Sequence, residues 1–245
     1  MNDWTLIFSK HSRVLVPFIT AMLAVSIARL LSDSLVMQQV HGIATMLLMV
    51  GMTLYALDSV VRFIGLGDDR LGLMSPKSPW LMLLLNAVAL GALLALAYTA
   101  HLLPTMFETG STAMARLRGF GSYLVSVTAG LGLVTVLVYA LKAVRGRGLF
   151  RALSWGAIAV VEAGLVAVTI ATVISVFGER QWALGVSGAE DAVNVHLGFV
   201  PVSVLDPASH PSAVTGFAVA NLVFALVLWG TAWLLSRRRN NYIEL

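Results

Sequence analysis

The chain has 245 residues, of which 58% are hydrophobic and 11% charged, whereas soluble domains carry about 45–50% and about 25%. With a mean hydropathy of +0.87, a soluble fold of this size is excluded, because it has too little polar surface to present to water. Cysteine is absent, which excludes disulfides, thiolate catalysis and cysteine-ligated metals.

From the N-terminus, "MNDWTLIFSKHSRV" opens on an Asn-Asp helix start and spaces Trp4, Ile7, Phe8 and His11 at helical intervals, with Lys10 and Arg13 off that face. Residues 1–14 therefore predict an interfacial helix lying along the inner leaflet. Six apolar stretches follow, at 15–31, 42–61, 79–103, 120–141, 152–177 and 213–235, close to the about 17–25 residues that cross the hydrocarbon core. They are continuously apolar rather than alternating, so they predict helices and not barrel strands. The stretches at 78–100, 119–141 and 211–236 hold no charge, whereas Arg29 and Asp58 lie inside or at the ends of the first two. The first stretch has the character of a signal-peptide core, but Met1 is retained, and a permanent span is expected.

The connection at 178–212 runs 35 residues, with Pro201, Pro207 and Pro211 among many apolar side chains. That content argues against disorder and for a functional extracellular loop, in which short helices re-enter the outer leaflet. No repeat, linker or low-complexity segment divides the chain. The expectation is one all-α integral membrane domain, residues 1–245, with six transmembrane helices.

Placing the N-terminus in the cytoplasm puts twelve of the sixteen Lys and Arg on inner segments and leaves Arg29, Arg116, Arg118 and Arg180 in or beside outer ones. Cytoplasmic loops carry the excess of Lys and Arg, so both termini are expected in the cytoplasm of a multi-pass cell-membrane protein. The formal charge of +4 then follows from insertion and from anionic inner-leaflet lipid. Basic residues scattered over four short segments do not make the patch that nucleic acid requires.

No Gly-Lys dipeptide occurs, so a nucleotide-cradling GxxxxGK[ST] loop is missing. HExxH and GxSxG are missing too, and the five histidines are scattered. No catalytic residue, metal site or bound cofactor is expected, and the chain is not an enzyme by itself. His41 and His101 fall near outer membrane boundaries, where solvation is a plainer reading than proton handling. Arg29 and Asp33, like Asp58 and Arg62, are spaced to pair on one helix face near a span end. Glu162 lies about ten residues into the fifth stretch without a sequence neighbour of opposite charge. A charged carboxylate at that depth costs about 2.5–3.5 kcal/mol, so it bonds another helix or lines a translocation path. Asn86 and Asn221 are candidates for the same interhelical or path-lining work.

The connection after the second stretch, "RFIGLGDDRLGLMSPKSPW", alternates charge with Leu and Met. Its residues alone suit either an amphipathic loop on lipid headgroups or a short helix in a groove of a soluble partner. The wider stretch "VVRFIGLGDDRLGLMSPKSPWLMLLLNAV" resembles the first cytoplasmic loop of ABC transporter permeases of the type-2 exporter class. The resemblance rests on Arg62-Phe63, Gly67-Asp68-Asp69, the apolar run from Leu71 to Met74, Pro76, and the Leu-rich start from Trp80 to Asn86. "LIFSKHSRVLVPFITAMLAVSIARL" and "RRRNNYIEL" are similar to that family's basic opening and short basic tail. The long connection before the last span falls where the family places outward re-entrant helices. "LMSPKSP" departs from the family's commoner Leu-Pro pair.

The resemblance implies the transmembrane subunit of an ATP-driven exporter that moves a peptide, lipid, drug or glycan outward. It implies a second permease copy, identical or similar, and ABC-type ATP-binding subunits that hold ATP and Mg. It also implies that residues 66–78 form a cytoplasmic coupling helix. Asp68 or Asp69 would cap its start, with Arg70 completing the charged end. Leu71, Leu73 and Met74 would be its apolar knobs, and Pro76 would end it. Two other readings stay open: a proton-coupled secondary transporter using Glu162, and a membrane immunity or scaffold protein whose 178–212 loop binds a peptide.

Overall fold

A computed structural model describes residues 3–32, 34–66, 78–104, 113–142, 144, 146–177, 182–184, 193–196, 203–204 and 211–240. The helices are α1 (Asp3–Leu31), α2 (Leu35–Val61), α3 (Pro79–Leu102), α4 (Ala113–Leu141), α5 (Arg147–Phe177) and α6 (Pro211–Asn240). Among the described residues, these six helices are long and apolar enough to cross a membrane. The chain is therefore a multi-pass membrane protein.

Local chemistry sets several helix ends. Ser34 caps α2 by accepting from the Met37 amide at 3.2 Å. Ser78 caps α3 through the Leu81 amide at 3.3 Å, and Pro79, which has no amide to satisfy, takes the first helical position. Gly146 adopts φ +97°, a conformation costly for a side chain bearing Cβ, and its carbonyl accepts from the Phe150 amide as α5 begins. At its far end α2 widens into a π-turn, Arg62–Leu66.

The 29 residues of α1 extend about 43 Å at about 1.5 Å each, more than the about 30 Å of hydrocarbon. The helix runs unbroken through residues 3–14, so the expected separate interfacial helix is the opening part of α1 itself. Ile7 is buried there with Met82 and Ala89 of α3, and Phe63 and Leu85 pack around them. Protein covers Ile7 and His11 on this face, while Trp4 and Phe8 stay exposed.

The described residues between α5 and α6 form three short strands, β1 (Trp182–Leu184), β2 (Val193–His196) and β3 (Ser203–Val204), where helix was expected; the rest of the expected re-entrant segment lies outside the described residues. β1 lies parallel to β2, and β2 pairs antiparallel with β3, Val195 opposite Val204 and His196 opposite Ser203. The Val-Asn-Val-His alternation suits a strand.

In lipid, helices gain nothing from hiding apolar surface, so close packing and polar contacts hold them together. The most extensive pair is α4 with α6, followed by α1 with α3. Gly132 permits the first approach: a Cβ there would meet the Trp229 indole nitrogen at 3.0 Å and Leu228 Cβ at 3.2 Å. Seated in that space, the Trp229 N–H donates to the Thr128 carbonyl at 2.9 Å. Around α3 the core is formed by Leu15, Met22, Met52, Leu90, Leu94 and Tyr98. By contrast, α5 is the least covered helix, with Val160 and Val168 well exposed.

Gly132→Leu should therefore lower thermal stability in detergent by about 1–3 kcal/mol, the usual cost of overpacking. Gly91→Ala, with open space around the new methyl, should leave the unfolding temperature nearly unchanged.

Candidate functional site

The coupling candidates Asp68, Asp69, Arg70, Leu71, Leu73, Met74 and Pro76 lie outside the described residues. The structure does define what brackets them. The segment 67–77 leaves the π-turn that closes α2 and enters α3 at its Ser78 cap.

Next to that bracket is a buried polar node joining three helices. His11 of α1 is 0% exposed and Asn86 of α3 1% exposed. His11 Nε2 lies 2.6 Å from Asn86 Oδ1, and its Nδ1 lies 3.1 Å from the Tyr55 hydroxyl of α2. The neutral Nε2–H tautomer satisfies both contacts: Nε2–H donates to Asn86, and Nδ1 accepts from Tyr55 O–H. Asn86 Nδ2 makes no hydrogen bond to a described residue. The node sits about 10–12 Å along α1 and α3 from their first residues, at about 1.5 Å per residue, on the side of the bundle that carries the 62–78 connection.

An ion triad occupies the same side. Asp58 of α2 binds Arg62 through Nε at 2.6 Å and Arg151 of α5 through Nη2 at 2.9 Å. The two arginine side chains are 53% and 48% exposed, so solvent screening limits each pair to about 1 kcal/mol or less. The triad acts as an alignment contact between α2 and α5 more than as a source of stability.

Glu162 projects from the lightly covered α5, half-buried, and makes no hydrogen bond or ion pair to a described residue. Asn221 of α6 is buried, and its Nδ2 likewise finds no described partner. No hydrogen bond joins the three candidate path or interhelical residues: Asn86 of α3 joins the node, while Glu162 stands on α5 and Asn221 on α6. Among the described residues, no three His, Cys, Asp or Glu side chains come together as a metal cage.

Sequence reading did not reveal the node, because 75 residues separate His11 from Asn86 and 44 separate it from Tyr55. The available signal was His11 sharing a helical face with Ile7. Nor did it pair His41 with His101, whose rings stack at the opposite end of the bundle.

Replacing His11 by Ala should destabilise the chain by about 1–3 kcal/mol, since it strands Asn86 in a dry interior. His11→Leu combined with Asn86→Leu should cost less than the two single changes summed. Thermal unfolding of all four proteins in one detergent measures this coupling.

Comparison with protein-family models, curated proteins and solved structures returned no match.

Proposed function

We propose that the chain is the permease subunit of an ATP-driven ABC exporter in the cell membrane, with both termini cytoplasmic. It works beside a second permease copy and separate ATP-binding subunits. The observation that carries this reading is the bracket around 67–77. A short charged and apolar stretch of sequence connects the packed ends of α2 and α3, and the opening part of α1 is packed against both.

A force applied to such a segment passes directly into a three-helix unit. The Phe63 side chain packs beside Ile7 and Met82, and the His11 node ties α1 to both neighbours. Asp58 offers a path onward to α5 through Arg151. Switching two packings from 1:99 to 99:1 requires about 5.5 kcal/mol, which nucleotide binding and hydrolysis on a partner would have to supply. In this reading Asp68, Asp69 and Arg70 form the charged end of the coupling segment. Leu71, Leu73 and Met74 fill the partner's groove, and Pro76 closes the segment before Ser78.

A second reading is favoured by Glu162, an intramembrane carboxylate without a described partner. It makes the chain a proton-coupled secondary transporter. That reading requires pH-driven transport without nucleotide, abolished by Glu162→Gln.

Purification in mild detergent should recover a soluble ATP-binding protein in about equal amount with the chain. Leu73→Asp should reduce that association at least about tenfold, as expected for a charge placed in an apolar interface, while membrane insertion persists. Full retention of the ATPase by Leu73→Asp, or its absence from the native preparation, would contradict the assignment.

A further inference from the structure

The end of the bundle opposite the 62–78 connection holds a polar and aromatic cluster that the permease reading does not use. Ser26 of α1 places its Oγ 3.1 Å from His41 Nε2 of α2. The rings of His41 and His101 of α3 stack with centroids 5.5 Å apart and planes within 5°. His101 also meets the Tyr98 ring, which stacks on Tyr123 of α4 at 4.1 Å. Four helices thus meet around two imidazoles.

Histidine changes charge between about pH 5 and 8. Two neutral rings stack comfortably, but two imidazolium rings at this separation repel. Arg29 of α1 acts through space on His41 with a further positive charge. Tyr98 and Tyr123 are the other titratable groups of the described cluster. Asp33, which the spacing pairs with Arg29, lies outside the described residues; of the acidic residues in the described helices, Asp3 and Asp58 lie toward the opposite end. Glu162 belongs to α5, which packs mainly on α4 and the π-turn. Both imidazoles are half-buried, so protons from that face reach them.

We infer that His41 and His101 form an acid-sensitive latch. Neutral rings hold α2 to α3 and, through Ser26, to α1; protonation of both rings beside Arg29 drives them apart and opens this end of the bundle. The stabilisation is present while the rings are neutral and is lost as pH on that face falls. It requires no nucleotide, ATPase or transported substrate, so its outcome is independent of the permease assignment.

The native chain has no cysteine, so a single introduced thiol reports cleanly. Ala97, one turn before His101, is fully buried, whereas Val36 at the start of α2 is 68% exposed. The experiment measures maleimide labelling of Ala97→Cys relative to Val36→Cys in nanodiscs, a ratio that removes the reagent's own pH dependence. The latch predicts a rise of about tenfold between about pH 7.5 and about pH 5, toward the acid end of the histidine range, because the second ring takes its proton beside Arg29 and an already charged neighbour. It also predicts loss of that rise in His41→Phe and in His101→Phe, which keep a flat ring without a titrating proton. A ratio that does not change with pH in the otherwise native chain overturns the latch, as does a rise that survives in either Phe background.

Discussion

A single imidazole, His11, constrains how the first half of the bundle is put together. A polar ring with no solvent exposure must find both its hydrogen-bond partners inside the protein, and lipid offers none. The partners come from α2 and α3, so satisfying one side chain fixes three helices in one register. The apolar layer of Ile7, Met82 and Ala89 extends this contact on the same side. Its consequence is that the N-terminal residues enter the bundle as part of α1 and do not lie across its edge.

The second half is joined by different chemistry. There α4 and α6 approach through the absence of a side chain at Gly132, and the Trp229 indole fills the space and bonds a backbone carbonyl. Aromatic stacking between Tyr98 and Tyr123 links α3 to α4. Each of these interhelical contacts helps to decide which packings are available. A polar node at one end and a stacked histidine pair at the other make the two ends of α1–α3 chemically distinct.

The number and approximate centres of the spans were legible, because apolar run length and lipid thickness leave little choice. The ends were less so. Hydropathy marks only the greasy part of a helix, whereas α1, α2, α4 and α5 all start several residues earlier, where polar side chains continue the same hydrogen-bonded ladder. The i, i+4 pairing of Asp58 with Arg62 could be read from spacing, but the bond from Asp58 to Arg151 spans 93 residues and could not. His11 with Asn86 and His41 with His101 were hidden for the same reason: helix packing, not local pattern, brings them together. Glu162 was recognisable from depth alone, and the structure leaves it without a described partner. The short strands between α5 and α6 were missed because apolar residues in a membrane chain suggested helix, while the β-branched alternation at 193–196 was the available clue.

The permease proposal gains its mechanical sense from this arrangement, since a handle on a loosely attached α1 would move little else. The most direct test places cysteines at Ile7 and Met82, two residues of the same buried layer, in the otherwise cysteine-free chain. A short bifunctional maleimide is then applied to the protein in nanodiscs. Efficient intramolecular cross-linking is the predicted result. Free labelling of Ile7→Cys with no cross-link to Met82→Cys would show the N-terminal segment lying apart from α3, and the three-helix unit would have to be abandoned.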